Sequence, residues 1–300
     1  MAELYTLAIV GAGLSTLSAL RAGLSGERTL LVDYQDDFGG FLRAAQSAPG
    51  LEDLIQLPTA SSLPGELTTR FNTTAVGLLP SFEEGEPHTL VTRQSSGTAA
   101  VRASRVLLAC GGLELTRESA QIPGPRPAGV MTPVFAHQLL NCGYAPGKQI
   151  VVYGSSRYAL ATAQRLAGAG ISVTLISIAG EPHPMLPSAP SALSLLLPAR
   201  LVSLAGSPRL EQVTFERMGE QFTLAADALV YAVGMRANTR WLKGSGIALT
   251  PQGAVEVDAH YQTSIPGIYA MGTLVSPSLD HVDSLRMGKE VAALLAERSY

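Results

Sequence analysis

The stretch from Tyr5 to Asp33 restricts the fold of this chain more than any other part of the sequence. An apolar run, Leu7–Val10, ends at Gly11, and Gly13 follows before leucines recur at helical spacing. A second apolar run then ends on the aspartate. This order of strand, glycine turn, helix, strand and acid is typical of a dinucleotide-binding β-α-β unit.

Both glycines and the acid of this stretch have a chemical role in such a unit. Gly11 permits the tight turn, and Gly13 lets the backbone approach a pyrophosphate at the N-terminus of the helix. Asp33 follows at the distance where a carboxylate can accept a hydrogen bond from an adenosine ribose hydroxyl. Thr16 takes the third glycine position, where we expect it to shift packing without abolishing the site. The alternative is a unit of this fold that has lost its ligand.

Composition excludes several classes of protein. The chain has 300 residues, of which 46% are hydrophobic and 15% charged, and this is typical of a globular protein with room for two domains. A net charge of −3 gives no general attraction to nucleic acid or to an anionic membrane. The longest apolar stretch, residues 193–205, is too short to span a bilayer. We therefore predict a cytoplasmic protein with no nucleic-acid or membrane partner.

The cysteines exclude a further set of sites. Cys110 and Cys142 are the only cysteines, and they lie far apart in sequence. This spacing rules out a C-x-x-C redox pair and a cysteine-based zinc or iron–sulfur site on this chain. We expect two buried free thiols in a reducing compartment and no metal.

The pattern of the first stretch recurs in the middle of the chain. Gln149–Tyr153 is predicted to be a strand, and a turn, a helix and a further strand follow. The turn of this candidate NAD(P) site consists of Gly154, Ser155, Ser156 and Arg157. Ser156 places a side chain where a pyrophosphate would approach, and the next strand ends at Ser177 without an acid. The fold of the unit is predicted, whereas its binding of NAD(P) stays open.

The remaining segments complete this pattern of domains. Short strands are predicted at residues 71–79, 88–93, 99–101 and 105–109. A connector rich in proline and glycine begins at Ile122, and the chain closes with a helix over residues 280–298. The fold class is therefore α/β, with two Rossmann-like dinucleotide-binding domains and the second inserted into the first. The first domain comprises residues 1–120 and 226–300, and the second comprises residues 121–225.

Several motifs make a family resemblance specific over nearly the full length. The segments VGAGLS, LLVD, VLLACGG, YAVGMRANTRWL and TSIPGIYAMGT resemble the pyridine nucleotide-disulfide oxidoreductase superfamily of flavoproteins. The segment IPGPRPAGVMTPVFAHQLLN is similar to a branch that lacks the redox-active cysteine pair. That branch includes small FAD-dependent oxidoreductases and flavin subunits of multi-subunit dehydrogenases that act on amines, amino acids or related small substrates.

The resemblance implies that the first domain binds FAD. It places Gly11, Gly13 and Ser15 at the pyrophosphate and Asp33 at the adenosine ribose. The other implied FAD contacts are Gly40, Val76, Cys110, Gly111, Gly272 and Thr273. Thr273 stands where the family has an acid that binds the ribityl chain, and its hydroxyl accepts hydrogen bonds more weakly than a carboxylate.

Two functions follow from the resemblance. The first is an enzyme, an FAD-dependent oxidoreductase that transfers electrons between NAD(P)H or a small organic substrate and an acceptor, without a redox disulfide. The alternative is a non-catalytic flavin- or nucleotide-binding subunit of a multi-subunit dehydrogenase with a degenerate NAD(P) site. Gly11, Gly13 and Asp33 favour the first function, whereas Ser156 and Thr273 favour the second.

The catalytic residues and the partners stay open at this point. His281 is the histidine expected near the flavin edge, as a general acid or base or as an exposed loop residue. The substrate is a small molecule of unspecified identity. A partner subunit, an electron-acceptor protein and a second copy of the chain are all compatible with the sequence.

Overall fold

The computed structural model describes residues 3–24, 26, 28–45, 67–83, 85–181, 192–279 and 281–297. In chain order, the strands and α-helices of these residues are β1 (Leu4–Val10), α1 (Leu14–Arg21), β2 (Thr29–Val32), β3 (Leu67–Arg70), β4 (Thr74–Leu79), β5 (His88–Gln94), β6 (Gly97–Leu108), β7 (Gly112–Glu114), β8 (Val130–Met131), α2 (Pro133–Asn141), β9 (Gln149–Tyr153), α3 (Arg157–Gly168), β10 (Ser172–Ile178), β11 (Leu193–Ala205), β12 (Gln212–Arg217), β13 (Glu220–Ala225), β14 (Ala228–Tyr231), β15 (Met235–Ala237), β16 (Ile268–Ala270) and α4 (His281–Glu297). Short 3₁₀ helices lie at Gly40–Ala45, Arg240–Leu242 and Gly272–Leu274.

These elements form two compact units. The chain leaves the first unit after Leu113 and returns to it at Met235. The second unit holds residues 114–234 and also includes Ala44. This architecture confirms the predicted α/β fold with one dinucleotide-type domain inserted into another. The assignment of FAD and NAD(P) binding to the two domains stays a prediction.

The sheet of the first unit has the order β3-β2-β1-β6-β5-β4, with β16 also pairing with β6. Strands β3, β2, β1, β6 and β16 are parallel, whereas β5 and β4 are antiparallel additions. The prediction of separate strands at 99–101 and 105–109 is wrong, because β6 runs without a break and pairs with β5 in its first half and with β1 in its second. The carboxyl ends of the parallel strands therefore meet at one edge of the sheet, as in other open α/β sheets.

Both faces of this parallel sheet are covered, which explains its apolar strands. Ala8 and Val10 pack into one hydrophobic cluster, and Leu7 and Ile9 pack into another on the opposite face. Strands that are buried on both faces read as continuous apolar runs and not as an alternating pattern. This is why the run Leu7–Val10 marks the centre of the sheet.

The second unit repeats this plan. Its sheet has the order β13-β12-β11-β10-β9-β14-β8. Strands β8, β14, β9, β10 and β11 are parallel, and β12 and β13 extend the sheet as an antiparallel hairpin. None of the helices in the described part of the chain is long and apolar enough to cross a membrane.

A directed chain of hydrogen bonds joins α2 to α3 in the second unit. The Arg165 guanidinium lies 2.8 Å from His137 Nδ1, and His137 Nε2 lies 3.0 Å from Thr162 Oγ1. Because arginine can only donate, Nδ1 accepts and Nε2 carries the ring proton. Burial and the neighbouring guanidinium lower the pKa of His137 to about 3. This histidine is therefore a neutral structural residue.

Helix α4 returns to the first unit and packs closely on α1. Ser18 Oγ donates to the Leu285 carbonyl at 2.6 Å. A Cβ atom added to Gly288 would lie 2.2 Å from the Ser15 carbonyl oxygen, so the two helix backbones meet at this glycine. Asp280, where the predicted helix over residues 280–298 begins, lies outside the described residues.

Replacing Gly288 with alanine is expected to destabilise the protein. The added methyl group would overlap the backbone of α1 and should lower the free energy of unfolding by about 1–3 kcal/mol. Gly168→Ala is the matched control, because a Cβ there meets no described atom within 4 Å and should stabilise α3 by about 0.5–1 kcal/mol. Urea titration measures both. Equal stability of the two variants would contradict this account of the helix contact.

Candidate functional site

The turn between β1 and α1 leaves the helix N-terminus open. Gly11 has φ +106, and a Cβ atom there would lie 2.3 Å from the Ala109 carbonyl oxygen, so the position accepts only glycine. Gly13 is the N-cap of α1 and forms no side-chain cap. A Cβ atom on Gly13 would meet no atom of the described chain within 4 Å. The first amides of α1 therefore face open space, which is what binding of a pyrophosphate requires.

Asp33 lies beside this turn, as the sequence spacing predicts. Its carboxylate accepts hydrogen bonds from Ala12 N at 2.6 Å and from Gln35 N at 2.7 Å. The residue is only 6% exposed, and this burial raises the pKa of Asp33, while the two amide donors act in the opposite direction. The carboxylate holds the turn in place, and its binding of an adenosine ribose stays a prediction.

The loop after β2 packs against the same turn. Gly39 N donates to the Ala12 carbonyl at 2.9 Å. Gly40 has φ +58, and a Cβ atom there would lie 3.1 Å from Gly13 Cα. Phe38 is buried and meets Phe71 edge to face at 5.0 Å. The loop therefore forms one wall of the turn, and a contact of Gly40 with FAD stays a prediction.

Residues from distant parts of the chain complete the site. Gly272 has φ +72, and a Cβ atom there would lie 2.7 Å from Ser15 Oγ. A Cβ atom on Gly111 would lie 3.3 Å from Thr273 Oγ1. Gly272 N also donates to Met287 Sδ at 2.9 Å. The ends of β6 and β16 thus bring Ser15, Gly111 and the Gly272-Thr273 pair together.

Just after the carboxyl end of β6, Cys110 is held as a neutral thiol. Trp241 Nε1 lies 3.4 Å from Cys110 Sγ, which in turn donates to the Asn238 carbonyl at 3.6 Å. Burial raises the pKa of Cys110 to about 11. Since the thiolate is the nucleophile, this residue is a packing group with little reactivity.

Val76 is the predicted adenine contact, and the structure places it away from the strands that carry the glycine turn and Asp33. It lies on β4, at the end of the sheet opposite β3, and is 40% exposed. The residue that the structure places beside Asp33 is Thr73, whose N–H donates to the Asp33 carbonyl at 2.8 Å. Sequence reasoning missed Thr73 because a backbone contact leaves no trace in residue type. An adenine contact at Val76 stays a prediction.

The second candidate turn lies between β9 and α3, and its serine hydroxyls accept hydrogen bonds from backbone amides. A Cβ atom on Gly154 would lie 2.3 Å from the Ala232 carbonyl oxygen. Ser155 Oγ accepts from Ile178 N at 2.9 Å, and Ser156 Oγ accepts from Ala159 N at 3.1 Å. Arg157 is exposed and begins α3. The structure thus places all four predicted residues in one turn, and their binding of NAD(P) stays a prediction.

The remaining candidates for chemistry are metal-ligating side chains and His281. Across the described ranges, no cluster of three or more His, Cys, Asp and Glu side chains could hold a metal ion. His281 is the first residue of α4. Asp283 in the first turn of that helix pairs with Arg286 at 2.9 Å.

Comparison with known proteins identifies one family. The family model described as pyridine nucleotide-disulphide oxidoreductase matches residues 5–287. The match spans well over half of the chain and confirms the superfamily that the sequence motifs resemble.

Individual relatives share part of their length with this chain. A dihydrolipoyl dehydrogenase from Geobacillus stearothermophilus is 31% identical over 195 residues, which cover 58% of this chain but only 40% of that enzyme. A ferredoxin--NADP reductase 1 from Bacillus pumilus (strain SAFR-032) is 23% identical over 290 residues, with 91% and 82% covered. The structure of a Lactococcus lactis thioredoxin reductase matches with a TM-score of 0.71 at 17% identity, covering 98% of each chain. This last likeness concerns the fold alone.

The two cysteines are expected to react with iodoacetamide at very different rates. Cys142 is exposed, which makes the sequence-based prediction of two buried thiols wrong, whereas the pKa of Cys110 is raised to about 11. Native protein at neutral pH should therefore be alkylated at one thiol, and Cys110 should react only near pH 11 or after unfolding. Mass spectrometry of the native protein and of a Cys142→Ser control counts the labelled thiols. Fast labelling of the control would contradict this description of the sulfur.

Proposed function

Because the chain belongs to the pyridine nucleotide-disulphide oxidoreductase family, we propose that it is an FAD-dependent oxidoreductase whose first unit holds the FAD. The observation that carries this proposal is the open N-terminus of α1 beside the buried Asp33 carboxylate. An uncapped helix end attracts a diphosphate, and an acid at the end of the second strand accepts from a ribose. The names of the curated relatives describe electron-transfer enzymes, which supports the same reaction class.

The residues of the first unit fit FAD in three places. The amides that follow Gly13 donate to the diphosphate, and Ser15 lies beside them. Asp33 binds the adenosine ribose while it keeps its hydrogen bonds to the turn. Thr273 offers a hydroxyl to the ribityl chain. The flavin, when bound, supplies the transfer of electrons, and the protein positions it and controls access to it.

The electron path involves no redox disulfide. Both cysteines are free thiols, and Cys110 is held protonated by its burial. A flavin held by the first unit would supply electron transfer between NAD(P)H or a small organic substrate and an acceptor, without a cysteine of this chain taking part. The enzyme works in the cytoplasm, and its net charge of −3 gives no general attraction to nucleic acid. A partner subunit, an acceptor protein or a second copy of the chain can receive the electrons or complete the assembly.

A second candidate function has an observation in its favour. The hydroxyl of Ser156 caps α3 at the position where a nicotinamide dinucleotide would bind. A flavin-binding subunit that serves a larger dehydrogenase would need no such site. The visible spectrum of the purified protein, followed by anaerobic addition of NADH, NADPH and small amines, separates the two functions. A yellow protein that is bleached by any of these donors is an enzyme on its own, whereas one that is bleached by none is the subunit.

Replacing Gly13 with valine should remove FAD without unfolding the protein. The backbone of Gly13 is extended, and a Cβ atom there meets no described atom, so the side chain would enter only the space reserved for the diphosphate. The affinity for FAD, measured by titration of the apoprotein, is expected to fall by about tenfold or more, which equals about 1.4 kcal/mol of binding free energy. Gly168→Val, at an open helical position, should retain FAD. Full occupancy in the Gly13 variant would contradict this placement of the site.

Restoring an acid at Thr273 should strengthen FAD binding. A carboxylate accepts a hydrogen bond from a ribityl hydroxyl more strongly than a threonine hydroxyl does, and we expect Thr273→Asp to improve affinity by about fivefold, or about 1 kcal/mol. Thr273→Val removes the acceptor and should weaken binding. Titration of the apoprotein with FAD measures both. Weaker binding in the aspartate variant than in wild type would place Thr273 away from the ribityl chain.

A further inference from the structure

The N-cap residues of the two β-α turns have similar backbone angles, so the directions of their side chains can be compared. Gly13 has φ −76 and ψ −171, and Ser156 has φ −77 and ψ 159. The backbone angles fix the direction of the Cα–Cβ bond relative to the helix that follows. The Ser156 side chain therefore leaves α3 in the direction that a side chain on Gly13 would leave α1.

In the first unit that direction is open. A Cβ atom on Gly13 would meet no atom of the described chain within 4 Å, and Gly13 forms no side-chain cap. The end of β2 adds the Asp33 carboxylate at the neighbouring position. The first turn thus has open space in front of Gly13 and a carboxylate, proposed to bind the ribose, beside it.

In the second unit the same direction is filled. Ser156 Oγ accepts from Ala159 N at 3.1 Å and so satisfies one of the free donors at the start of α3. The residue is exposed, so its hydroxymethyl group lies at the solvent-facing start of α3. An anion at this helix end would have to displace the serine from its own cap.

Ser155 and Gly154 of this turn also have contacts within the unit. Ser155 Oγ accepts from Ile178 N at 2.9 Å, which ties the turn to the end of β10 where the first unit has its acid. Gly154 is required because a Cβ atom there would lie 2.3 Å from the Ala232 carbonyl oxygen. Gly11 has the same packing requirement in the first turn, so the difference between the two turns lies at Gly13 and Ser156.

From these contacts we infer that Ser156 closes the second turn to diphosphates, so that neither NADH nor NADPH is the electron donor of this protein. The electron donor therefore reduces the flavin without binding to the second unit through a diphosphate. This inference rests on the proposed function, because it assumes that the first unit carries FAD. It assigns the exclusion of nicotinamide nucleotides to one side chain.

The test uses FAD-loaded full-length protein and a reciprocal pair of variants. Ser156→Gly opens the second turn, and the fold should tolerate it because glycine is itself accepted at an N-cap. Gly13→Ser introduces into the first turn the side chain that closes the second. Calorimetric titration with ADP, NADH and NADPH measures binding, and anaerobic absorbance near the flavin maximum measures reduction.

Wild-type holoprotein is expected to bind none of the three nucleotides at millimolar concentration and to keep an oxidised flavin in the presence of NADH or NADPH. Ser156→Gly should gain binding of ADP and of at least one dinucleotide by about tenfold or more, and Gly13→Ser should lose FAD. Tight binding of NADH or NADPH by wild type would overturn the inference. Failure of Ser156→Gly to gain nucleotide binding would overturn the role of this side chain. Loss of the proposed function would show differently, as wild-type protein purified without flavin.

Discussion

The buried carboxylate of Asp33 is the group on which the arrangement of the first unit depends. It accepts from the amides of Ala12 and Gln35, and the backbone of the same residue bonds to Arg70 and Thr73. A carboxylate removed from water is costly unless its oxygens are hydrogen-bonded. The glycine turn, the loop after β2 and the segment before β4 are therefore held in one arrangement around it. The same bonds fix the position of the acid beside the glycine turn.

The two units show how one architecture can have opposite chemistry at equivalent positions. Each has a parallel sheet, a glycine at the start of the turn and a helix that follows. In the first unit the helix end and the turn face open space, whereas in the second a serine hydroxyl caps the helix. A fold does not imply a function, which depends on the groups present at the site. The repeated fold thus supports one dinucleotide site more strongly than two.

The local sequence pattern predicted individual strands and helices well, but it predicted the contacts between them poorly. The strand at Gln149–Tyr153 and the β-α-β order around it follow from continuous apolar runs and from turn residues. The unbroken β6 was missed because its exposed first half alternates only weakly in polarity. The exposure of Cys142 was missed because this residue lies at the C-cap of α2, where residue type alone does not determine burial.

The sequence by itself determined the β-α-β turn, the acid that follows it and the family to which the chain belongs. These features depend on residues that are neighbours along the chain, so spacing and residue type were sufficient to identify them. Only the tertiary structure decided that Ser15 meets Gly272 and that Gly111 meets Thr273. It also decided that Ser156 bonds to its own helix while Gly13 faces open space. Such contacts arise where strands distant in sequence end at one edge of a sheet, and no local pattern records that approach.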